Sequence, residues 1–476
     1  MTKSQKILIE VLVAVAFACF LSTNLLVRHS TENAFTLPLY LNRVLEITVC
    51  LFVAFTARSV RINTRKLFWI ATGSLAIYIL IECALLFASA NMAQGQISLM
   101  ESLSGASNGF LIACMSLLFA RLLCTLSANH AAALIPLSWA GSHLIFLSIC
   151  FIPEIPVFPL EATLFLVSSG ILFFLFKQLV ASEFKPSTVV RRKKKIALAP
   201  LLQMNTYFSL YFGMLVFPFF YAFMAQFCGD ANINSGLFDI STEIVGIVFL
   251  LLLAVHGYWS SIHLDAESLF VAVLPVFATA LLLFPLFWGS EIFIAGYVMK
   301  CGFLVYSALV WINLQKISSK APDKSFFYFG IGVGLYHLAL LVGRLCASAV
   351  SMYTELSGRV VATIAIIAFW LLTMAALTML YMQRRKKGGT QTQGTESDFD
   401  ASFELFAIAY HLSEREKAVL NEFARGRTVR YIAQDLLLSQ ETVRTHLKRA
   451  YVKTSCHNRQ DVISRIESLG KETRGK

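Results

Sequence analysis

The feature that most limits this chain is a succession of long apolar runs, each close to the twenty or so residues that a helix needs to cross a bilayer. They fall at 7–27, 37–57, 67–90, 103–126, 132–152 and 157–181, and then, after a basic break, at 201–226, 236–259, 267–288, 290–313, 325–349 and 360–382. Backbone polar groups at membrane depth must be satisfied inside their own segment, so runs of this kind form helices. They predict an all-α fold, a polytopic bundle of about 12 transmembrane helices in two sets of six. The composition agrees: 57% of residues are hydrophobic and only 14% charged, where a soluble chain carries about a quarter charged. Lys3 and Lys6 precede the first run and no small-residue cleavage site follows it closely. That run therefore reads as a retained first helix and not as a removed signal peptide. Most of the ten cysteines lie inside apolar segments, and none shows C-x-x-C spacing. They read as small core residues, with no metal site and no cofactor implied.

Orientation follows from the cations between the runs. One set of alternate segments holds Lys3 and Lys6, then Arg58, Arg61, Arg65 and Lys66, then Lys185 and the Arg191–Lys195 cluster. The same set continues with Lys316, Lys320 and Lys324 and ends on Arg384–Lys387. The opposite loops hold Glu32, Glu101, Glu154, Asp230 and Glu355, with Arg28 and Arg359 their only cations. Both termini are therefore expected in the cytoplasm.

Ionisable groups at membrane depth are costly and mark function or buried pairing. The expected spans place Arg43 and Glu46 in the second helix, Glu82 in the third, Asp239 and Glu243 in the eighth, Lys300 in the tenth, and His337 and Arg344 in the eleventh. Two readings stand. Pairs such as Arg43 with Glu82, or Lys300 with Asp239, could tie helices together. Alternatively, the eight residues line a vestibule, open to the outside, that binds a small polar or amphipathic ligand. Arg121 and Lys177 lie nearer the cytoplasmic edge and read as snorkelling.

From Arg384 the chemistry changes. Residues 384–410 begin with a basic cluster suited to anionic headgroups. They continue through the polar, aperiodic Gly388–Asp400, expected to be a flexible linker, and end on Phe403, Leu405, Phe406 and Ile408, which can form a short helical lead into the soluble domain. Residues 1–383 thus form a membrane domain and 411–476 a small soluble one. In the latter, Ser413 and Glu416 have capping-box spacing. Val419, Leu420, Phe423 and Ala424 follow at helical intervals, and Gly426 stands where a helix ends. Thr428 can cap a second helix carrying Ile432, Ala433, Leu436 and Leu437. Ser439 can cap a third with Val443, Leu447, Ala450 and Tyr451 inward, and Asn458 a fourth with Val462, Ile463 and Ile466. The outer face of the third helix carries Arg444, Thr445, Lys448 and Arg449. From His411 on there are 14 Lys and Arg against 8 Asp and Glu, a net of +6. Cations and small polar groups near the start of one helix suit the major groove and the phosphate backbone.

These residues resemble the C-terminal DNA-binding domain of LuxR/NarL-type bacterial transcription regulators. The likeness covers Leu412-Ser413-Glu414-Arg415-Glu416, Ala424-Arg425-Gly426, Ile432-Ala433-Gln434-Asp435-Leu436, Ser439 to His446, and the closing Lys453 and Arg459. It implies four helices, of which the third reads double-stranded DNA and the fourth dimerises. Arg444, Thr445 and Lys448 would face the groove, Thr442, His446 and Arg449 would sit near the backbone, and Val443 would be core. Two positions depart from the pattern: Tyr431 stands where Glu is usual, and Thr454-Ser455-Cys456 where Leu-Gly-Val is usual. The six-plus-six layout of the apolar runs resembles the major facilitator superfamily, which implies two pseudo-symmetric halves around a central cavity. Together they imply a transcription regulator of the bacterial inner membrane, not an enzyme, controlled by a small molecule and binding promoter DNA as a homodimer. The alternative is a transporter with a regulatory or reporting DNA-binding tail.

Overall fold

The structure, a computed structural model, describes residues 3–31, 37–58, 60, 62–88, 92–150, 157–179, 208–229, 235–259, 266–287, 293–353 and 357–474. The basic break that holds Lys185 and Arg191–Lys195 lies outside them. The described chain is helical, with no strand. It divides into two compact units, Met1–Ala376 and Leu377–Lys476.

In the first unit the helices are α1 (Lys3–Thr31), α2 (Leu37–Ala57), α3 (Thr64–Ala88), α4 (Gln94–Leu123), α5 (Ala128–Cys150) and α6 (Val157–Leu179). They continue with α7 (Phe208–Gly229), α8 (Ser235–Trp259), α9 (Ala266–Leu283), α10 (Phe293–Ser319), α11 (Ser325–Tyr353) and α12 (Gly358–Ala409). Among the described residues, eleven are long and apolar enough to span a membrane. The exception is α9, whose apolar part is the shorter Val273–Leu283. The expected bounds are met to within about six residues except in α7, described only from Phe208, in α12, which runs on well past 382, and in α4, which starts nine residues before the apolar run. Gln94, Gln96, Ser98 and Glu101 continue the helix past the apolar stretch, with Ala93 N donating to Gln96 Oε1 at its start.

Within the first six helices, α1 packs on α5 and α6, and α4 packs on α2 and α3. Within the second six, α7 packs on α11, and α10 on α8 and α9. The two sets meet along two seams, α2 with α11 and α5 with α8. Each seam has a backbone-to-backbone approach that only glycine allows. A Cβ on Gly330 of α11 would lie 2.6 Å from Cys50 O of α2, and one on Gly257 of α8 would lie 2.5 Å from Ala132 O of α5. Small residues at crossings let helices touch closely where lipid offers no hydrophobic drive for association.

Packing differs between the two ends of the bundle. Leu111–Leu123 of α4 and Ser325–Gly334 of α11 are buried throughout. Gln315 Nε2 of α10 donates to Leu123 O and Leu126 O, both at 3.2 Å, and Arg121 Nη1 donates to Pro322 O at 2.5 Å. Arg121 is therefore buried at a junction between the halves. It does not reach out to headgroups, because a carbonyl is within its reach inside the fold. At the other end, residues 93–96 of α4 and Met352 and Tyr353 of α11 are exposed.

The second unit contains the end of α12, then α13 (Glu414–Ala424), α14 (Val429–Asp435), α15 (Gln440–Thr454) and α16 (Arg459–Arg474). The stretch expected to be a flexible linker is helical, because α12 runs on to Ala409. Between Arg384 and Ala409 there are three glycines but no proline, and Lys, Arg, Gln and Glu are good helix formers. Near its end, Phe403 and Phe406 enter the core of the unit beside Val419, Leu420, Ile432, Val443, Val462 and Ile466. Five helices, not four, build this core.

Candidate functional site

Capping fixes each helix of the second unit. Ser413 Oγ accepts from Glu416 N at 3.4 Å, and Ser413 N donates to Glu416 Oε2 at 2.9 Å, closing the capping box. Thr428 Oγ1 accepts from Tyr431 N at 3.3 Å, and Ser439 Oγ from Thr442 N at 3.1 Å. Asn458 Oδ1 accepts from Asp461 N at 2.9 Å. Glu416 then does a second job. Its Oε2 takes Lys453 Nζ at 2.6 Å, and the same ammonium donates to His411 O at 3.1 Å. This tie joins the start of α13 to the end of α15 and holds the Glu416 carboxyl down to about 2. Charge-assisted bonds of this kind are the strong ones.

The tie sets the rotation of α15. Val443, Leu447 and Ala450 are buried, which turns Arg444, Thr445, Lys448 and Arg449 to solvent. Thr445 Oγ1 donates to Glu441 O at 2.9 Å, and Arg444 Nη1 lies 3.5 Å from Glu441 Oε2, both side chains well exposed. Thr442 and His446 are half-buried beside them, and His446 Nδ1 has no hydrogen-bond partner. All six expected reading residues therefore stand on one helix.

Both departures from the family pattern have a structural account. Where an acidic residue would pair, the Arg427 guanidinium lies over the Tyr431 ring, 4.8 Å from its centroid. Thr454 and Cys456 are buried like the apolar residues they replace, and Ser455 adopts φ 52° where glycine is usual. Leu437 is a correction. Expected on the second helix, it lies past the helix end, 92% exposed with φ 53°. It belongs to the turn after α14, past the point where helical periodicity still predicts the inward face.

In the first unit the structure brings some of the expected polar residues together. Arg43 Nη1 meets Glu46 Oε2 at 2.7 Å within α2, and Glu46 Oε1 meets His337 Nδ1 of α11 at 2.9 Å. Lys300 Nζ of α10 meets Glu243 Oε1 of α8 at 3.1 Å, and Glu243 Oε2 bonds His143 Nδ1 of α5. Each seam is thus bridged by a buried carboxylate with a histidine across it and a cation beside it. Glu82 accepts from Ser104 Oγ of α4. Arg344 is half-buried, and the Asp239 side chain lies outside the described residues. Sequence reasoning missed His143, Glu161, Tyr78 and Asn108. A histidine or glutamate inside an apolar run was the available signal for the first two. Among the described residues no group of three or more His, Cys, Asp or Glu side chains converges as a metal site would.

The two units define the class: a small α-helical domain with an exposed cationic helix, on a chain with a bundle of apolar helices of membrane-spanning length. Comparison with known proteins specifies each part. Residues 410–466 match the family model for bacterial regulatory proteins of the luxR family. The bundle has the fold of the major facilitator superfamily. The chain superposes on the human organic anion transporter MFSD10 (TETRAN) with a TM-score of 0.51 and 12% identity, covering 80% of this chain and 100% of that one. It superposes equally on the proton:xylose symporter XylE bound to 6-bromo-6-deoxy-D-glucose, with a TM-score of 0.51 and 11% identity, covering 79% of this chain and 94% of that one. A search of curated protein sequences finds no match. The chain therefore carries a luxR-family helix-turn-helix domain at its C-terminal end and a facilitator-like helical domain before it, the make-up of a membrane-bound transcription regulator.

Proposed function

We propose that this protein senses a small molecule in its membrane bundle and passes that signal to promoter DNA through α15. The carrying observation is the exposed row Arg444, Thr445 and Lys448 on the third helix of a luxR-family domain, joined to a bundle that fits a membrane. In this reading both termini lie in the cytoplasm of a bacterial cell, as the distribution of Lys and Arg favours. Arg444, Thr445 and Lys448 enter the major groove. Thr442, His446 and Arg449 hold the phosphate backbone. Two copies pair through α16 on a two-fold operator.

In this reading the ligand enters a vestibule open to the outside, for which Arg43, Glu46, Glu82, Asp239, Glu243, Lys300, His337 and Arg344 are the candidate contacts. A ligand there competes for Glu46 and Glu243, the groups that bridge the seams. It shifts the population of bundle states and with it the pairing of the DNA-binding domains. The test is promoter affinity of the full chain in nanodiscs with and without each compound that binds it. Ligands that bind and move operator affinity support the reading, and ligands that bind without moving it refute the coupling. A second reading, a transporter that reports on its substrate, draws on the facilitator fold itself. Uptake into proteoliposomes that is lost on Lys300→Ala but kept on Arg444→Ala would favour it.

A further inference from the structure

The described part of the bundle holds one acidic pair that the seams do not use. Glu82 of α3 and Glu161 of α6 both lean on α4. Asn108 Nδ2 donates to Glu161 Oε1 at 2.8 Å, and Tyr78 Oη of α3 donates to Glu161 Oε2 at 3.0 Å. One turn away on α4, Ser104 Oγ donates to Glu82. Because α3 and α4 run antiparallel, the pairs Tyr78/Glu82 and Asn108/Ser104 face each other across the crossing. The two carboxylates therefore belong to neighbouring turns of the same α3–α4 crossing. Glu161 is 4% exposed and Glu82 half-buried.

Every hydrogen bond these carboxylates make is accepted from a neutral donor. Among the described residues no Lys, Arg or His pairs with either of them. The two carboxylates at the seams differ, because each of those has a cation beside it. Two acceptor carboxylates at membrane depth without a counter-charge are costly. A further atom is left over: Asn108 Oδ1 is buried with no hydrogen-bond partner, on a residue only 4% exposed. It belongs to the same carboxamide that holds Glu161. The donor set is all oxygen, comprising two carboxylates, an amide carbonyl, an alcohol and a phenol. That chemistry suits hard cations and disfavours zinc or copper.

We propose that Glu82 and Glu161, with Asn108 Oδ1 and the hydroxyls of Ser104 and Tyr78, form a site for one hard metal cation of the alkali or alkaline-earth class. The half-buried Glu82 is the entry side. The site lies wholly within the first six helices, so it stands apart from the seam-bridging groups and does not depend on the DNA-binding reading.

All six tryptophans precede residue 377, so fluorescence excited selectively at tryptophan reports the melting of the first unit alone. The full chain in detergent is melted at pH 8 in sodium, calcium or choline chloride at matched ionic strength. Sodium or calcium raises the wild-type Tm over choline by roughly 3 °C or more, and which of them does so identifies the ion. Glu161→Gln and Glu82→Gln lose that increment, while Glu404→Gln, outside the unit, keeps it. In choline the Gln variants melt no lower than wild type, because one of two like charges is gone; a purely structural role for the carboxylates predicts that they melt lower. Competition of ⁴⁵Ca or ²²Na binding gives a second readout. No cation-dependent difference in wild type overturns the proposal, as does the same increment in the Gln variants. A Tm that follows pH but no metal also overturns it, since the pair then holds a proton.

Discussion

A single buried valine decides what α15 can read. Val443 is fully buried, so Arg444 and Thr445, next in sequence, must turn outward, and Lys448 joins them one turn on. Arg444→Ala is expected to weaken operator binding by about 1–3 kcal/mol and relax preference at one base pair, as measured by selection from random duplexes. Arg449→Ala should instead weaken binding to all sequences alike and reduce the salt slope by about 1. Beside His411 at φ 50°, two residues of the helix ends have a positive φ without being glycine, Leu437 at φ 53° and Ser455 at φ 52°. Replacing either with glycine should stabilise the unit by roughly 0.5–1 kcal/mol, seen as slower hydrogen exchange in α14 or α15. The reading residues were legible in the sequence because caps, spacing and charge all identify the same helix. Leu437 was not, because hydrophobicity alone does not show where α14 stops.

Among elements, α13 and α15 are held in register by Glu416 and Lys453. The Glu416 carboxyl is lowered to about 2 by the Lys453 ammonium. Its contribution is therefore complete above the ordinary glutamate range and is lost as pH falls from about 4.5 toward 2. Exchange of α13 amides should accelerate through that window in wild type, and at neutral pH already in Glu416→Gln. The membrane helices were legible as lengths: α2 occupies the very residues its apolar run marks, Leu37–Ala57. Their partners were not, since an apolar run does not reveal which helix it meets. The glycines at the seams show this. Gly330 and Gly257 are unremarkable in sequence, yet each sits against the carbonyl of another helix. Gly330→Leu should separate α2 from α11 and lower the Tm of the first unit by several degrees, whereas Gly170→Leu, which has open space around it, should not.

For the molecule as a whole, the sequence shows both chemistries and where one gives way to the other. It did not show that α12 continues past the change, nor that Phe403 and Phe406 complete the core of the second unit. The reason is physical: a polar stretch with few breakers has no period by which a helix can be recognised in advance, and a short helical lead does not show which core its aromatic residues enter. The central claim is that a DNA reader works while attached to a membrane bundle. The most direct measurement is capture of genomic fragments by the full chain in nanodiscs at physiological salt, followed by sequencing. The account predicts enrichment of a small set of promoter fragments with two-fold symmetric sites, lost in Arg444→Ala. Retention without sequence preference, or equal enrichment by wild type and Arg444→Ala, would contradict it.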